Sequence, residues 1–154
     1  MKRSVLAVAA VLAASFAASL APTLGYAHCQ VPCGIYDDAA RITALREDAT
    51  TIAKAIAGVQ ELAGKSTAQD LNQATRWIQT KEMHASHIIT TVSEYFLTQK
   101  IKAVAAGADG YDEYVSKVAA CHGVMVAAMK TKQECSPATA AALDAAIAKL
   151  DEHF

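Results

Sequence analysis

Apolar residues recur at intervals of three or four along most of the chain after residue 36, which is the spacing of one face of an α-helix. The first such segment runs from Asp37 to Ala63. Asp37 and Asp38 stand at its start, where carboxylates accept hydrogen bonds from free backbone amides, and Gly64 follows its end. The positions predicted to face the core are Ile42, Leu45, Ala49, Ile52, Ile56 and Val59.

A second and longer helix is predicted to begin at Ser66 and to continue toward Ile101. Gln69 lies three residues after Ser66, which is the arrangement of a capping box, where each side chain binds the other residue's backbone amide. The inward positions of this helix are Leu71, Ile78, Ala85, Ile88, Val92, Tyr95 and Phe96.

Two further helices complete the pattern. Gly107 and Gly110 interrupt the helical spacing before the third, and Ser136-Pro137 opens the fourth with a capping residue and a proline at the first helical position. The third is predicted to face inward with Tyr111, Tyr114, Val118, His122, Met125 and Met129, and the fourth with Leu143, Ile147 and Leu150. No segment alternates polar and apolar residues as a strand does, and the connections are short. The predicted fold is therefore all-α, an antiparallel four-helix bundle.

Residues 1–27 have the layout of an export leader. Lys2 and Arg3 precede an apolar stretch, and Gly25-Tyr26-Ala27 puts small residues at the two positions that a leader peptidase reads. The apolar stretch is shorter than the ~20 residues that a membrane-spanning helix needs, so no stable membrane anchor is expected. Cleavage after Ala27 leaves a mature domain of residues 28–154. Export indicates the bacterial periplasm, or the cytoplasm if the leader is only a maturation propeptide.

Charge and cysteine content limit the set of possible functions. Loss of the leader removes two of the 14 basic residues and none of the 15 acidic ones, which leaves a net charge of −3 on 127 residues and argues against nucleic acid as a partner. A domain of this length needs no disulfides for its core, so the four cysteines require another explanation. After export Cys29 could pair with Cys33. Cys121 could reach Cys135 only if the third helix ends early, because fourteen helical residues span about 21 Å.

The mature chain begins with the loop His28-Cys29-Gln30-Val31-Pro32-Cys33-Gly34-Ile35-Tyr36. Thiolates bind nickel, copper(I) or zinc, whereas amine and imidazole nitrogens suit nickel and copper(II). The new α-amine titrates near ~7.7 and gives up its proton to a metal at little cost. The amide nitrogen of Cys29 lies between that amine and the Cys29 sulfur, and its deprotonation completes a flat donor set that nickel(II) prefers and zinc does not. Tyr36 is expected to lean over the open face and hold a small substrate.

The pattern His-Cys-x-x-Pro-Cys-Gly-x-Tyr at a processed amino terminus resembles the nickel hook of nickel-containing superoxide dismutases, and residues 28–36 are called the metal hook below. Tyr95-Phe96 stands where that family has an aromatic pair. The resemblance implies that Cys29 and Cys33 are thiolate ligands, that Cys29 adds its backbone nitrogen, and that His28 adds its amine and, in the oxidised state, its imidazole. Tyr36 would line the substrate approach.

The same resemblance implies an activity and an assembly. The reaction is conversion of superoxide into dioxygen and hydrogen peroxide by nickel cycling between its +2 and +3 states, with one nickel ion per subunit. The family assembles as a hexamer whose neighbouring subunits help cover the hook. A leader peptidase and a nickel-delivery factor are the further expected partners.

Two positions depart from the family's pattern. Gln30 follows the first cysteine where better-known members have aspartate, so a charge near the loop is missing. Thr43 stands where some members have the carboxylate that orients the axial imidazole. Glu47 or a residue of a neighbouring subunit is the alternative for that role.

Other interpretations compete with this one. A secreted bundle that chelates copper or zinc at the hook would prefer copper(I) and show no superoxide turnover, and a purely structural bundle would hold no metal after correct cleavage. His84 and His87 share a helix face at i and i+3, so a metal pair is conceivable, but solvated or core-edge histidines are the simpler interpretation. His122 is expected within the bundle, and Met125 and Met129 in its core.

Overall fold

Four helices make up the part of the chain that the computed structural model describes, residue 32 and residues 34–154. Helix α1 spans Asp38–Glu61, α2 spans Ala68–Thr91, α3 spans Tyr111–Gln133 and α4 spans Pro137–Asp151. Directly after α2 the chain continues as a π-helix over Val92–Lys100, called the π segment below. The described residues contain no strand, so the all-α prediction is confirmed.

The four helices close into a bundle in which each packs against two others. Helix α1 contacts α2 and α4, and α3 contacts the same two. Arg46 in the first half of α1 forms an ion pair of 2.7 Å with Asp151 at the end of α4. Asp38, at the start of α1, meets Tyr95 of the π segment. The start of α1 therefore lies beside the ends of α4 and of the π segment, as the predicted antiparallel bundle requires.

Helices α1 and α4 form as their sequences predict. Asp37 caps α1, since its carboxylate accepts a hydrogen bond from the Ala40 amide at 2.9 Å. Ser136 caps α4 ahead of Pro137. The predicted inward residues of both helices are buried, apart from Val59, which is half-buried. Burial of each large aliphatic side chain stabilises the fold by about 1.5–3 kcal/mol, so these two seams contribute substantially to the stability of the core.

The start of α2 differs from the prediction by one residue. Thr67, not Ser66, is the cap, and Asp70, not Gln69, completes the capping box. The Thr67 hydroxyl accepts from the Asp70 amide at 3.1 Å, and the Asp70 carboxylate accepts from the Thr67 amide at 3.3 Å. A carboxylate also meets the positive end of the helix dipole, which an uncharged glutamine cannot do, so Asp70 is the better partner.

The first half of α2 lies on the surface, contrary to the prediction. Leu71 is 58% exposed and Ile78 is 45% exposed. The reason lies in the length of α3. The Lys81 ammonium binds the carbonyls of Thr131 and Lys132 at the end of α3, so the residues of α2 before Lys81 extend past that end.

Helix α3 turns a different face inward from the predicted one. Its buried residues are Ala120, Cys121, Val124, Ala127, Ala128 and Thr131. Met129 is 42% exposed, His122 is exposed, and Met125 is half-buried against the core. The observed seam of residues 121, 124 and 128 precedes the predicted 122, 125 and 129 by one position, a rotation of about 100°. The buried face of α3 carries mostly small side chains, which let the neighbouring helices approach closely, and the larger side chains of α3 point outward.

Helix α3 is continuous through Gln133, and Cys121 and Cys135 are both free thiols. The disulfide between them therefore does not form, as the length of a continuous helix requires. Burial raises the pKa of Cys121 to about 11, which makes that thiol unreactive. No helix within the described residues is long and apolar enough to cross a membrane.

Candidate metal centre

The predicted metal ligands fall at the edge of what the structure describes. His28, Cys29 and Cys33 lie outside the described residues, and so does the predicted leader. Pro32, Gly34, Ile35 and Tyr36 of the metal hook are described. The structure therefore shows how the carboxyl end of the hook joins the bundle.

A tight turn precedes α1. The Ile35 amide donates to the Pro32 carbonyl at 3.0 Å, and Gly34 has φ of +89°. A Cβ at Gly34 would meet no atom of the described residues within 4 Å. Backbone conformation and not space thus accounts for glycine at this position, because other residues adopt positive φ only at a cost.

Tyr36 anchors the hook to the bundle. Its ring stands edge-on to the Tyr95 ring, with centroids 5.7 Å apart, and the Lys100 Nζ lies 4.9 Å from its centroid. Its hydroxyl donates to the Gln99 carbonyl at 3.4 Å. That distance is long for an O–H···O hydrogen bond, and the residue is 36% exposed, so the hydroxyl can turn toward another partner at little cost.

Asp38 joins the start of α1 to Tyr95 and Lys100 of the π segment, which both contact the Tyr36 ring. One of its oxygens accepts from the Tyr95 hydroxyl at 2.7 Å, and the other lies 2.6 Å from the Lys100 ammonium. Burial, the hydrogen bond to Asp38 and the charge of that carboxylate raise the pKa of Tyr95 to about 12. Tyr95 therefore stays protonated at any physiological pH. Tyr36, Asp38, Tyr95 and Lys100 are called the Asp38 cluster below.

The π segment positions two members of the Asp38 cluster, Tyr95 and Lys100. Its wide turns are marked by side chains that bind carbonyls five residues back, Thr98 to Ser93 and Gln99 to Glu94. Tyr95 and Phe96 are buried within it, and its last residue, Lys100, reaches Asp38. Sequence reasoning missed this segment because a helical apolar period does not distinguish an α-turn from a π-turn. It also missed the role of Asp38, whose partner Tyr95 is 57 residues away.

Thr43 and Glu47, the positions considered for the group that orients the His28 imidazole, lie on the outer face of α1. Thr43 is exposed, and its hydroxyl donates to the Ala39 carbonyl of its own helix at 2.9 Å. Glu47 is exposed one turn further on. Neither side chain packs into the core, so both are open to contact from outside the subunit.

A groove of about 400 Å³ opens beside the Asp38 cluster, and its walls come from the π segment, the loop after it, α3 and the last residues. Two of its three lysines are neutralised: Lys100 by Asp38 and Lys117 by Glu113, whose pKa the Lys117 hydrogen bond lowers. Lys102 donates to the Gln99 carbonyl at 2.7 Å, and no described carboxylate pairs with it. The groove therefore carries a cation that favours a small anion.

A second carboxylate cluster lies further along α1. Asp48, which is 7% exposed, has one oxygen 2.6 Å from Nδ1 of His84 and the other 2.6 Å from Nδ1 of His87. These three residues are called the Asp48 cluster below. His84 is half-buried and His87 is exposed, as expected of core-edge and solvated histidines, and both rings contact the same carboxylate. No group of three or more acidic, histidine or cysteine side chains in the described region has an arrangement that could hold a metal ion.

Comparison with known proteins gives one match. The sequence model of the nickel-containing superoxide dismutase family matches residues 24–154, which include the whole metal hook and the four helices. No curated protein and no solved structure matches the chain.

Proposed function

Because the chain belongs to the nickel-containing superoxide dismutase family, we propose that its mature form begins at His28 and holds one nickel ion through His28, Cys29 and Cys33. The protein converts superoxide into dioxygen and hydrogen peroxide, and its cofactor is nickel. The observation that carries the ligand proposal is the hook sequence itself, which lies within the matched segment. The alternative of a copper- or zinc-binding bundle without turnover gains no support from the comparison.

The donor set of the hook suits nickel. Cys29 and Cys33 offer two thiolates, Cys29 offers its amide nitrogen, and His28 offers its amine and imidazole. The turn between Pro32 and Ile35 and the positive φ of Gly34 fit a chain that reverses direction next to Cys33. Nickel bound there supplies a one-electron couple between its +2 and +3 states, and electron-rich sulfur stabilises the higher state.

The Asp38 cluster holds Tyr36, the last residue of the hook, in place. Tyr36 is held by the Tyr95 ring and by Lys100, and both of these bind Asp38. Within the described residues the Tyr36 hydroxyl makes only a long contact to Gln99, so it is available to hold superoxide, water or a proton at the approach to the hook. Tyr95 does not serve as a proton source, because its pKa of about 12 keeps it protonated.

Superoxide is an anion, and the groove beside the Asp38 cluster suits its approach. Lys102 supplies positive charge that no described carboxylate neutralises. Such charge raises the local concentration of a small anion and is screened by salt. We expect turnover at limiting superoxide to fall as ionic strength rises.

Assembly into a hexamer is supported by the uncovered half of α2. Leu71 and Ile78 are 58% and 45% exposed, and their spacing of seven residues puts them on one face of α2. Exposed apolar side chains that share a helix face are typical of contact surfaces. A neighbouring subunit in the hexamer would also be the source of the group that orients the His28 imidazole, unless Glu47 serves.

Processing and location follow from the leader. A leader peptidase removes residues 1–27, the mature chain is delivered to the periplasm, and a nickel-delivery factor loads it. If the leader is only a maturation propeptide, the protein works in the cytoplasm instead. The residues concerned are Lys2, Arg3 and the small residues before His28.

An added residue at the mature terminus tests the proposal directly. One glycine placed before His28 turns the amine ligand into an amide, so it should abolish nickel-dependent turnover while the helix content stays the same. The matched control carries the same glycine after Phe154 and should keep full activity. Equal activity of the two variants would refute the amine ligand. Sedimentation of the untagged protein checks the hexamer.

A further inference from the structure

We propose that His84 and His87 form a second transition-metal site on the surface of the bundle, separate from the metal hook, with Asp48 as the group that orients both rings. The ligand is a divalent cation that favours imidazole, such as Zn²⁺, Cu²⁺ or Ni²⁺. The proposal rests on the geometry of the Asp48 cluster and is independent of the nickel hook.

The carboxylate determines which nitrogen of each ring remains free. Each Asp48 oxygen lies 2.6 Å from an Nδ1 atom, one of His84 and one of His87. An ionised carboxylate has no proton to donate, so each Nδ1 must carry the shared proton. In the neutral ring the lone pair is then on Nε2. Histidines that bind metals are oriented in this way, by a carboxylate on the nitrogen that faces away from the metal.

Both rings are open to a ligand. The His84 side chain is 27% exposed and the His87 side chain is 59% exposed. Residues at i and i+3 are neighbours on a helix, with Cβ atoms about 5–6 Å apart. Within the described residues neither Nε2 atom makes a hydrogen bond, so nothing in that part of the chain competes with a cation for them.

The site has two protein ligands, and water completes the coordination. Asp48 is buried and contributes a negative charge that offsets part of the cation's charge. No third acidic, histidine or cysteine side chain of the described region is arranged to join the pair. We therefore expect a weaker and more easily exchanged ion than the nickel of the hook.

Zinc binding to the nickel-loaded mature protein tests the site. Calorimetric titration with Zn²⁺ should give one site per chain that is lost in His84→Gln/His87→Gln and kept in His122→Gln, a control at an exposed histidine without a carboxylate contact. The nickel content, measured before and after, should not change. Asp48→Asn should weaken zinc binding about 10–100-fold.

Several results would overturn the paired site. Equal zinc affinity in wild type and in His84→Gln/His87→Gln would show that the cluster is only a structural contact between α1 and α2. Zinc binding that requires one histidine but not the other would contradict the pair as the ligand set. If Asp48→Asn does not fold, the single variants His84→Gln and His87→Gln still decide the matter. Repeating the titration in Cys29→Ser/Cys33→Ser separates this site from the hook, because zinc should still bind at His84 and His87 in that variant.

Discussion

Two aspartates of α1 each bind two side chains of the long helical segment formed by α2 and the π segment, yet the two clusters can do different chemistry. Asp38 binds the Tyr95 hydroxyl and the Lys100 ammonium. Asp48 binds the imidazoles of His84 and His87. The carboxylates are alike, with both oxygens engaged at 2.6–2.7 Å, so the difference lies in their partners.

The partners of Asp38, Tyr95 and Lys100, do not provide a ligand for a metal ion. Tyr95 has a pKa of about 12 and stays protonated, and an ammonium group has no lone pair. A bound imidazole, in contrast, keeps one nitrogen with a lone pair. The Asp38 cluster is therefore a fixed anchor for Tyr36, whereas the Asp48 cluster presents ligands at the surface.

Loss of the hook thiols should have the largest effect and shows whether the hook, rather than either cluster, carries the redox metal. Cys29→Ser and Cys33→Ser should each abolish nickel binding and superoxide turnover, because a serine hydroxyl replaces a thiolate. Circular dichroism should show unchanged helix content. Cys135→Ser, at an exposed free thiol, is the control and should be fully active. Substantial turnover in either hook variant would contradict the two-thiolate site.

Removal of the Asp38 charge should have a smaller effect than loss of the hook thiols, but it should still weaken nickel binding at the hook. Asp38→Asn removes the charge that holds Tyr95 and Lys100, so the free energy of unfolding should fall by about 3 kcal/mol. Nickel retention during dialysis should fall as well. Asp151→Asn breaks the exposed pair with Arg46, so it should cost less than about 1 kcal/mol and leave nickel in place. Equal nickel retention in the two variants would mean that the anchor does not support the hook.

The raised pKa of Tyr95 predicts a specific alkaline instability. Its pKa is about 12 in the folded protein against an ordinary value of 10.0, so its stabilising effect is complete below pH 10 and is lost as the pH rises toward 12. Wild type should lose at most about 2 to 3 kcal/mol more than Tyr95→Phe over this range. Denaturant unfolding of both proteins at several pH values measures the difference, and parallel curves would show that burial and Asp38 do not raise the Tyr95 pKa.

The turn before α1 should show the smallest effect. Gly34→Ala places a Cβ at φ of +89°, which should destabilise the nickel-loaded protein by about 1–2 kcal/mol. Gly123→Ala is the matched control. It too meets no atom of the described residues within 4 Å, but it lies inside α3, where alanine favours the helix by about 1 kcal/mol. Thermal unfolding should shift in opposite directions, and a shift in the same direction would contradict the role given to the turn.

How far the sequence predicts the fold depends on side-chain size. In α1 and α4 the large aliphatic residues form the seam, so their spacing identifies the buried face. In α3 the buried residues are mostly small, and the larger side chains point outward, so the same reasoning selects the wrong face. The exposed start of α2 depends on where α3 ends beside Lys81, which no local pattern reveals.

How far the sequence predicts the site depends on how close together its residues lie in the chain. All predicted nickel donors lie within six residues of each other, so a local motif is enough to predict them. The Asp38 cluster joins residues from the start of α1 to the end of the π segment, and the Asp48 cluster joins α1 to α2. The spacing of His84 and His87 alone suggests a shared face, but only the fold brings Asp48 against both rings.

The measurement that tests the central claim most directly is the intact mass of the mature protein together with its metal content and superoxide turnover. The account predicts a terminus at His28, one nickel ion per chain and rapid turnover that is lost when nickel is removed. A terminus at another residue in the active protein would contradict the hook ligands, and copper or zinc without turnover would contradict the nickel enzyme.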